Sequence, residues 1–78
     1  MTIDQLRTRS DFHRVERISN NAFEIWPAND TEDCRQRFHA IVHGAIECAA
    51  EKGYQVRPRA GSTDPKGRWD MAVITPAD

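Results

Sequence analysis

Two histidines and a glutamate occur at intervals of four residues: His39, His43 and Glu47. On a helix this interval projects all three side chains from one face, which is the spacing of helical metal sites. In the zinc-protease motif a glutamate directly follows the first histidine, whereas here Ala40 follows it. Only His13 offers a further imidazole elsewhere in the chain. We therefore interpret the row as exposed polar residues and expect no metal ion and no cofactor.

The nucleophilic side chains form no clear catalytic group. Cys34 and Cys48 fall on the apolar side of one predicted helix, and their separation of about 21 Å along its axis excludes a disulfide between them. Asp11 and His13 could form a dyad, but an alternating strand places them as easily on one solvent-exposed face. A chain of 78 residues also offers little volume for a substrate cleft. We expect a protein that is not an enzyme.

A basic stretch lies near the C-terminus and consists of Arg57, Arg59, Lys66 and Arg68. These residues flank a predicted loop at residues 60–67, with Tyr54 and Trp69 close by in the sequence. Arginines beside aromatic rings suit single-stranded nucleic acid or an acidic protein face. A solvated hairpin tip normally carries such charges as well, and Asp64 and Asp70 offset part of them. The stretch is therefore a candidate binding surface for phosphate or for carboxylate.

The longest periodic stretch, residues 31–54, predicts the central helix of the fold. At about 100° per residue its apolar side chains share one face, formed by Cys34, Phe38, Ile41, Val42, Ala45, Cys48 and Ala49. Asn29, Asp30 or Thr31 can cap its N-terminus, and Gly53 can end it in the left-handed conformation.

The opposite side of this helix, which we call the outer face, comprises His39, Ala40, His43, Gly44 and Glu47. A helix that faces only water usually carries Lys, Glu or Gln at such positions. Glycine in mid-helix costs about 1 kcal/mol relative to alanine, so a close contact could require Gly44. Either a short helix within residues 2–9 covers this face, or the face binds a partner. That partner would be a second copy of the chain or another protein.

Residues 12–26 predict a β-hairpin because they are rich in β-branched and aromatic side chains. The Asn-Asn pair at 20–21 suits a two-residue turn, since asparagine tolerates positive φ. That turn would pair Arg17 with Glu24, whereas a longer loop would set Glu16 against Glu24, which is repulsive. We therefore predict the two-residue register. A helix through the same stretch is the competing interpretation.

Two further strands follow the helix. Residues 54–59 alternate and contain Pro58, which confines them to a sheet edge or makes Pro58 nearly the last strand residue. Residues 68–75 are partly apolar on both faces, which predicts a central strand. We thus predict one α+β domain, residues 1–78, in the order ββαββ, with or without a short N-terminal helix. A four-stranded antiparallel or mixed sheet would carry the long helix on one face, and its strand order is left open.

Composition excludes several classes of protein. The chain has 11 Lys and Arg against 12 Asp and Glu, a net charge of −1, which argues against a histone-like DNA coat and against a uniformly acidic nucleic-acid mimic. No segment has the 18 or more apolar residues of a membrane span. Unpaired thiols are typical of a reducing compartment, so we expect a cytoplasmic protein without membrane contact.

No family motif is present, so the expected function rests on size, the lack of a catalytic site and the outer face. We expect a non-enzymatic protein-interaction module, and within that class a small inhibitor that blocks a larger nucleic-acid-processing complex by covering its surface. Phage-encoded anti-CRISPR proteins act in this way, and the comparison is an analogy. The alternative is a small DNA- or RNA-binding module that uses the arginine-rich hairpin tip.

Overall fold

The computed structural model describes residues 3–60 and 66–77 of the chain. Its elements are α1 (Ile3–Leu6), β1 (His13–Arg17), β2 (Phe23–Pro27), α2 (Glu32–Ala49), a single 3-10 turn (Ala50–Lys52), β3 (Tyr54–Ala60) and β4 (Trp69–Pro76). The predicted α+β class and ββαββ order are confirmed, including the short N-terminal helix. Residues 61–65 of the predicted loop lie outside the described residues.

The four strands form one antiparallel sheet in the order β1-β2-β4-β3. Consequently β2 and β3 run in the same direction with β4 between them. The placement of β3 at an edge agrees with the constraint from Pro58, which cannot donate to a neighbouring strand. The central position predicted for β4 is also confirmed, and its Ala72 and Ile74 are fully buried.

Helix α2 begins and ends where local chemistry satisfies its free backbone groups. The Thr31 side chain accepts a hydrogen bond from the Cys34 amide at 3.3 Å, which caps the N-terminus. Glu32 in the first turn adds negative charge at the positive end of the helix dipole. After the 3-10 turn, Gly53 adopts φ 77°, a left-handed conformation that other residues adopt only with strain.

The core lies between α2 and one face of the sheet. It is a continuous cluster formed by Ile3, Leu6, Phe23, Ile25, Phe38, Val42, Ala45, Ala49, Ala72 and Ile74. Because α1 contributes Ile3 and Leu6 to this cluster, it packs on the core side of α2. The outer face is therefore left uncovered by α1, and Ala40 and Gly44 are exposed.

The register predicted for the first hairpin is wrong. The sheet pairs Glu16 with Glu24, and residues 18–22 form a five-residue connection. This register turns Val15 and Ile25 together toward α2, whereas a shift by one residue would turn Glu16 inward. Burial of the apolar side chains decides the register, because Glu16 is exposed and solvent screens its repulsion with Glu24.

Candidate partner-binding surfaces

The outer face of α2 is an uncovered strip of small and polar side chains. Ala40, His43, Gly44 and Glu47 are all exposed. A Cβ atom built on Gly44 would meet nothing within 4 Å. His43 Nδ1 lies 3.7 Å from Glu47 Oε1, so these two of the three residues in the predicted row do lie together. Described residues thus leave room for another molecule to approach the helix backbone closely at Gly44.

His39 faces the sheet rather than solvent alone. Its ring stacks on the indole of Trp69 with centroids 4.3 Å apart and planes inclined by 28°. Its Nδ1 atom is buried and has no hydrogen-bond partner among the residues that the structure describes. His39 therefore fastens α2 to β4, and His43, with its ring 6.4 Å from Trp69, marks the border of the exposed strip.

A β-bulge explains why Trp69 reaches the helix. The β3–β4 register shifts between Arg59 and Ala60, which leaves Asp70 as an extra residue in β4. A bulge of this kind can direct two consecutive side chains to the same face of the sheet. Accordingly, Asp70 accepts a hydrogen bond from Arg35 of α2 at 3.0 Å while Trp69 stacks on His39 of the same helix.

The basic stretch does not form one surface. Lys66 Nζ lies 2.7 Å from Glu32 Oε1, and Arg68 binds both oxygens of the same carboxylate at 2.8 and 2.9 Å. Arg68, whose side chain is only 11% exposed, is thereby fixed against the N-terminus of α2. Arg57 and Arg59 instead pair with Val73 and Met71 on the other side of the sheet.

Lys66 and Arg68 also determine the protonation of Glu32. Hydrogen bonds from Arg68 and Lys66 lower the pKa of Glu32 to about 2. The carboxylate is solvent-exposed, so burial, which would raise its pKa, opposes these hydrogen bonds only weakly. Glu32 thus ties the start of α2 to the segment before β4.

The side of the sheet away from α2, which we call the open face, is covered by no helix among the described elements. Its exposed cations are Arg14, Arg57 and Arg59. Trp26 is half-buried beside them, with the guanidinium carbon of Arg14 5.3 Å from the centre of its ring. Sequence analysis missed Arg14 and Trp26, because only the strand order brings β1 and β2 onto the same face as Arg57 and Arg59.

His13, which could take part in covalent chemistry, is buried and hydrogen-bonded within the fold. His13 is 1% exposed, and its ring nitrogens contact the Ser10 hydroxyl at 2.7 Å and the Leu6 carbonyl at 3.3 Å. Since a carbonyl only accepts, Nε2 carries the proton and Nδ1 accepts from Ser10. Burial lowers the pKa of His13, against the opposing effect of its hydrogen bonds to backbone. Neither alternative considered for Asp11 and His13 applies, since His13 is turned into the protein and its ring contacts Ser10 and Leu6.

Other reactive groups are similarly placed. The thiol of Cys34 is buried and donates to the Phe12 carbonyl at 3.2 Å, and Cys48 is half-buried. Both cysteines are free. Within residues 3–60 and 66–77, no three His, Cys, Asp or Glu side chains are grouped closely enough to hold a metal ion.

Among the helices that the structure describes, none has the length and hydropathy needed to cross a bilayer. Comparison with protein-family profiles, curated proteins and solved structures finds no significant match.

Proposed function

We propose that this protein is a non-enzymatic interaction module that acts by covering a surface of a larger protein partner with the outer face of α2. The observation that carries the proposal is Gly44. Glycine in mid-helix costs about 1 kcal/mol relative to alanine. A Cβ atom there would clash with nothing, so no packing contact inside the described domain requires glycine. A partner that approaches the helix backbone at this point accounts for the missing side chain.

The apolar and acidic side chains on the outer face of α2 indicate which kind of partner surface would complement it. Beside Gly44, the Ile46 side chain is 40% exposed and adds apolar area. Glu47 and Glu51 are exposed carboxylates toward the C-terminal end of the helix. A complementary partner presents a flat apolar patch bordered by Lys or Arg. Basic surfaces of this kind line the channels of nucleic-acid-processing complexes, which fits an inhibitor that acts in the manner of anti-CRISPR proteins.

The placement of the reactive groups supports a role in binding rather than in catalysis. His13 and Cys34 are buried and hydrogen-bonded, so neither is presented to a substrate. The alternative of a nucleic-acid-binding hairpin tip loses support from the ion pairs of Lys66 and Arg68 with Glu32. These two cations are already engaged within the fold.

The test is affinity capture from an extract of the source cells with three immobilised proteins: the native chain, Gly44→Gln and Arg59→Gln. Glutamine is a good helix former and points into open space at position 44, so this variant is expected to fold at least as well as the native chain. Arg59→Gln is the control on the opposite side of the sheet. We expect one protein to be retained by the native chain and Arg59→Gln and lost with Gly44→Gln.

Two results would overturn the proposal. One is capture of the same proteins by all three baits. The other is a dimer in sedimentation equilibrium that Gly44→Gln dissociates, because it would show that the outer face binds a second copy of this chain.

A further inference from the structure

The open face carries a row of four side chains that crosses all four strands: Arg14, Trp26, Met71 and Arg59. Arg14 lies opposite Trp26 in the β1–β2 register, and Arg59 lies opposite Met71 in the β3–β4 register. The register that pairs Ile25 with Ala72 brings Trp26 beside Met71. The row therefore begins and ends with an exposed arginine, and between them lie the half-buried Trp26 and Met71, which is only 4% exposed.

The arginines of this face are not neutralised by ion pairs with described residues. Arg14 and Arg59 are exposed, and neither has a carboxylate of the described chain within salt-bridge distance. Arg57, one row along β3, makes a long hydrogen bond of 3.4 Å to the neutral Gln55 side chain and no ion pair with a described residue. This contrasts with Arg35, which binds Asp70. Three guanidinium groups thus remain available to an anionic ligand.

The distance between the ends of the row limits what that ligand can be. β1 and β3 are separated by three strand spacings of about 4.8 Å, so the backbones at Arg14 and Arg59 are about 14 Å apart. With both side chains upright from the sheet, a single phosphate or carboxylate does not span that distance. An extended chain with several negative charges can engage both arginines without bending them toward each other.

The middle of the row favours a polyanion that carries flat rings. The Arg14 guanidinium lies over Trp26, 5.3 Å from the ring centre, so a cation and an aromatic surface occupy one spot. Two grooves of about 270 and 300 Å³ flank this indole. A nucleotide placed there can stack its base on the guanidinium plane that covers the ring, while its phosphates meet the other arginines of the open face.

We propose that the open face binds single-stranded nucleic acid, which crosses the sheet along the row from Arg14 to Arg59. Glu16, which is exposed, and Glu24, which is half-buried, are paired on the neighbouring row, where they repel a polyanion and confine it to this path. A duplex is disfavoured because its bases are stacked inside and cannot reach Trp26. This site is on the opposite side of the sheet from the outer face of α2, so the protein would bind a nucleic acid and a protein partner with separate surfaces.

The experiment measures fluorescence anisotropy of four labelled probes with the intact protein at 50 and 200 mM salt. The probes are a 20-nucleotide oligo-dT, a duplex of equal length, an abasic 20-nucleotide phosphodiester and a peptide of 20 glutamates. Three phosphate contacts predict a loss of roughly 20-fold in oligo-dT affinity over this salt range. We expect oligo-dT to bind at least about tenfold more tightly than the abasic strand, since stacking needs bases.

Two double variants of opposite expected effect locate the site. Arg14→Gln/Arg59→Gln should weaken oligo-dT binding at least tenfold and reduce the salt slope by about 1.4, which corresponds to two contacts. Glu16→Gln/Glu24→Gln should tighten binding several-fold, and it also removes a repulsive pair from the folded protein. Gly44→Gln, on the other side of the molecule, should bind like the native chain.

Each of the following outcomes would overturn the proposal: no saturable oligo-dT binding at 50 mM salt, equal affinity for the abasic strand, or no effect of the arginine variant. Equal binding of the glutamate peptide would assign the open face to an acidic protein. Equal binding of the duplex would show recognition of backbone charge alone. None of these outcomes bears on the outer face of α2, which the capture experiment tests separately.

Discussion

Replacing Gly44 and Gly53 with alanine, one at a time, should shift the stability of the protein in opposite directions. At both positions an added Cβ atom meets nothing within 4 Å, so neither substitution creates a steric clash. The two glycines differ in backbone conformation. Gly44 lies inside α2, whereas Gly53 has φ 77° and ends the helix. The pair therefore separates the effect of helix propensity from that of the left-handed conformation.

The magnitudes follow from these conformations. Gly44→Ala gains about 1 kcal/mol of helix propensity at an exposed position. Gly53→Ala forces alanine into the left-handed region at a cost of about 1–2 kcal/mol. For a domain of this size, 1 kcal/mol corresponds to a Tm shift of roughly 4–8 °C. We expect Gly44→Ala to raise Tm by that amount and Gly53→Ala to lower it by at least as much.

Thermal unfolding followed by circular dichroism measures both shifts under one set of conditions. An unchanged or lower Tm for Gly44→Ala would refute the view that this side of the helix is open and that glycine there has no structural role in the domain. A neutral Gly53→Ala would contradict the assigned end of the helix. If the outer face binds a partner as proposed, Gly44→Ala should weaken capture while it raises Tm, which separates loss of binding from loss of folding.

Three further predictions concern the core and the two titratable groups with shifted pKa values. Phe38→Ala, at a site with 0% exposure, should cost about 3–5 kcal/mol in urea unfolding, a large part of the stability of so small a domain. Burial lowers the pKa of His13, so at acidic pH the unfolded chain binds more protons than the folded protein. The free energy of unfolding should therefore fall as the pH decreases below about 6.5. His13→Gln should flatten this pH dependence in Tm values measured from pH 8 to 5. The pKa of Glu32, lowered to about 2, contributes stability that is present above its unfolded value near 4.5 and is lost as the pH falls toward 2. Glu32→Gln should lower Tm at pH 7 and reduce the acid dependence below pH 4.5, and an unchanged acid profile would show that its ion pairs do not stabilise the fold.

The fold could be predicted from the sequence wherever the determining interactions are local. The core face of α2, its Thr31 cap and its Gly53 stop are read from residues close together in the chain. The alternation in β4 likewise indicated burial on both sides. The prediction of the hairpin register was wrong because repulsion between Glu16 and Glu24 was given more weight than the burial of Val15 beside Ile25.

The candidate surfaces were less predictable because they depend on contacts between distant residues. Lys66 and Arg68 meet Glu32 across 34 and 36 positions of sequence, which removes them from the basic stretch. The bulge at Arg59 turns Trp69 toward His39, and no turn residue in the sequence indicates that bulge. Arg14 and Arg59 lie on the same face of one sheet because of the strand order. The alternation of side chains in the sequence does not predict that order.

The insertion of β4 between β2 and β3 has a consequence for how the chain reaches its native state. During synthesis the first hairpin and α2 leave the ribosome before the strand that joins β2 to β3 has been made. Until Ala72 and Ile74 are in place, Phe23 and Ile25 have strand neighbours on the β1 side alone. Before β4 is made, the nascent chain can therefore form the first hairpin but cannot join β3 to it, and completion of the sheet is expected to be a late, cooperative event in which the last strand completes the core.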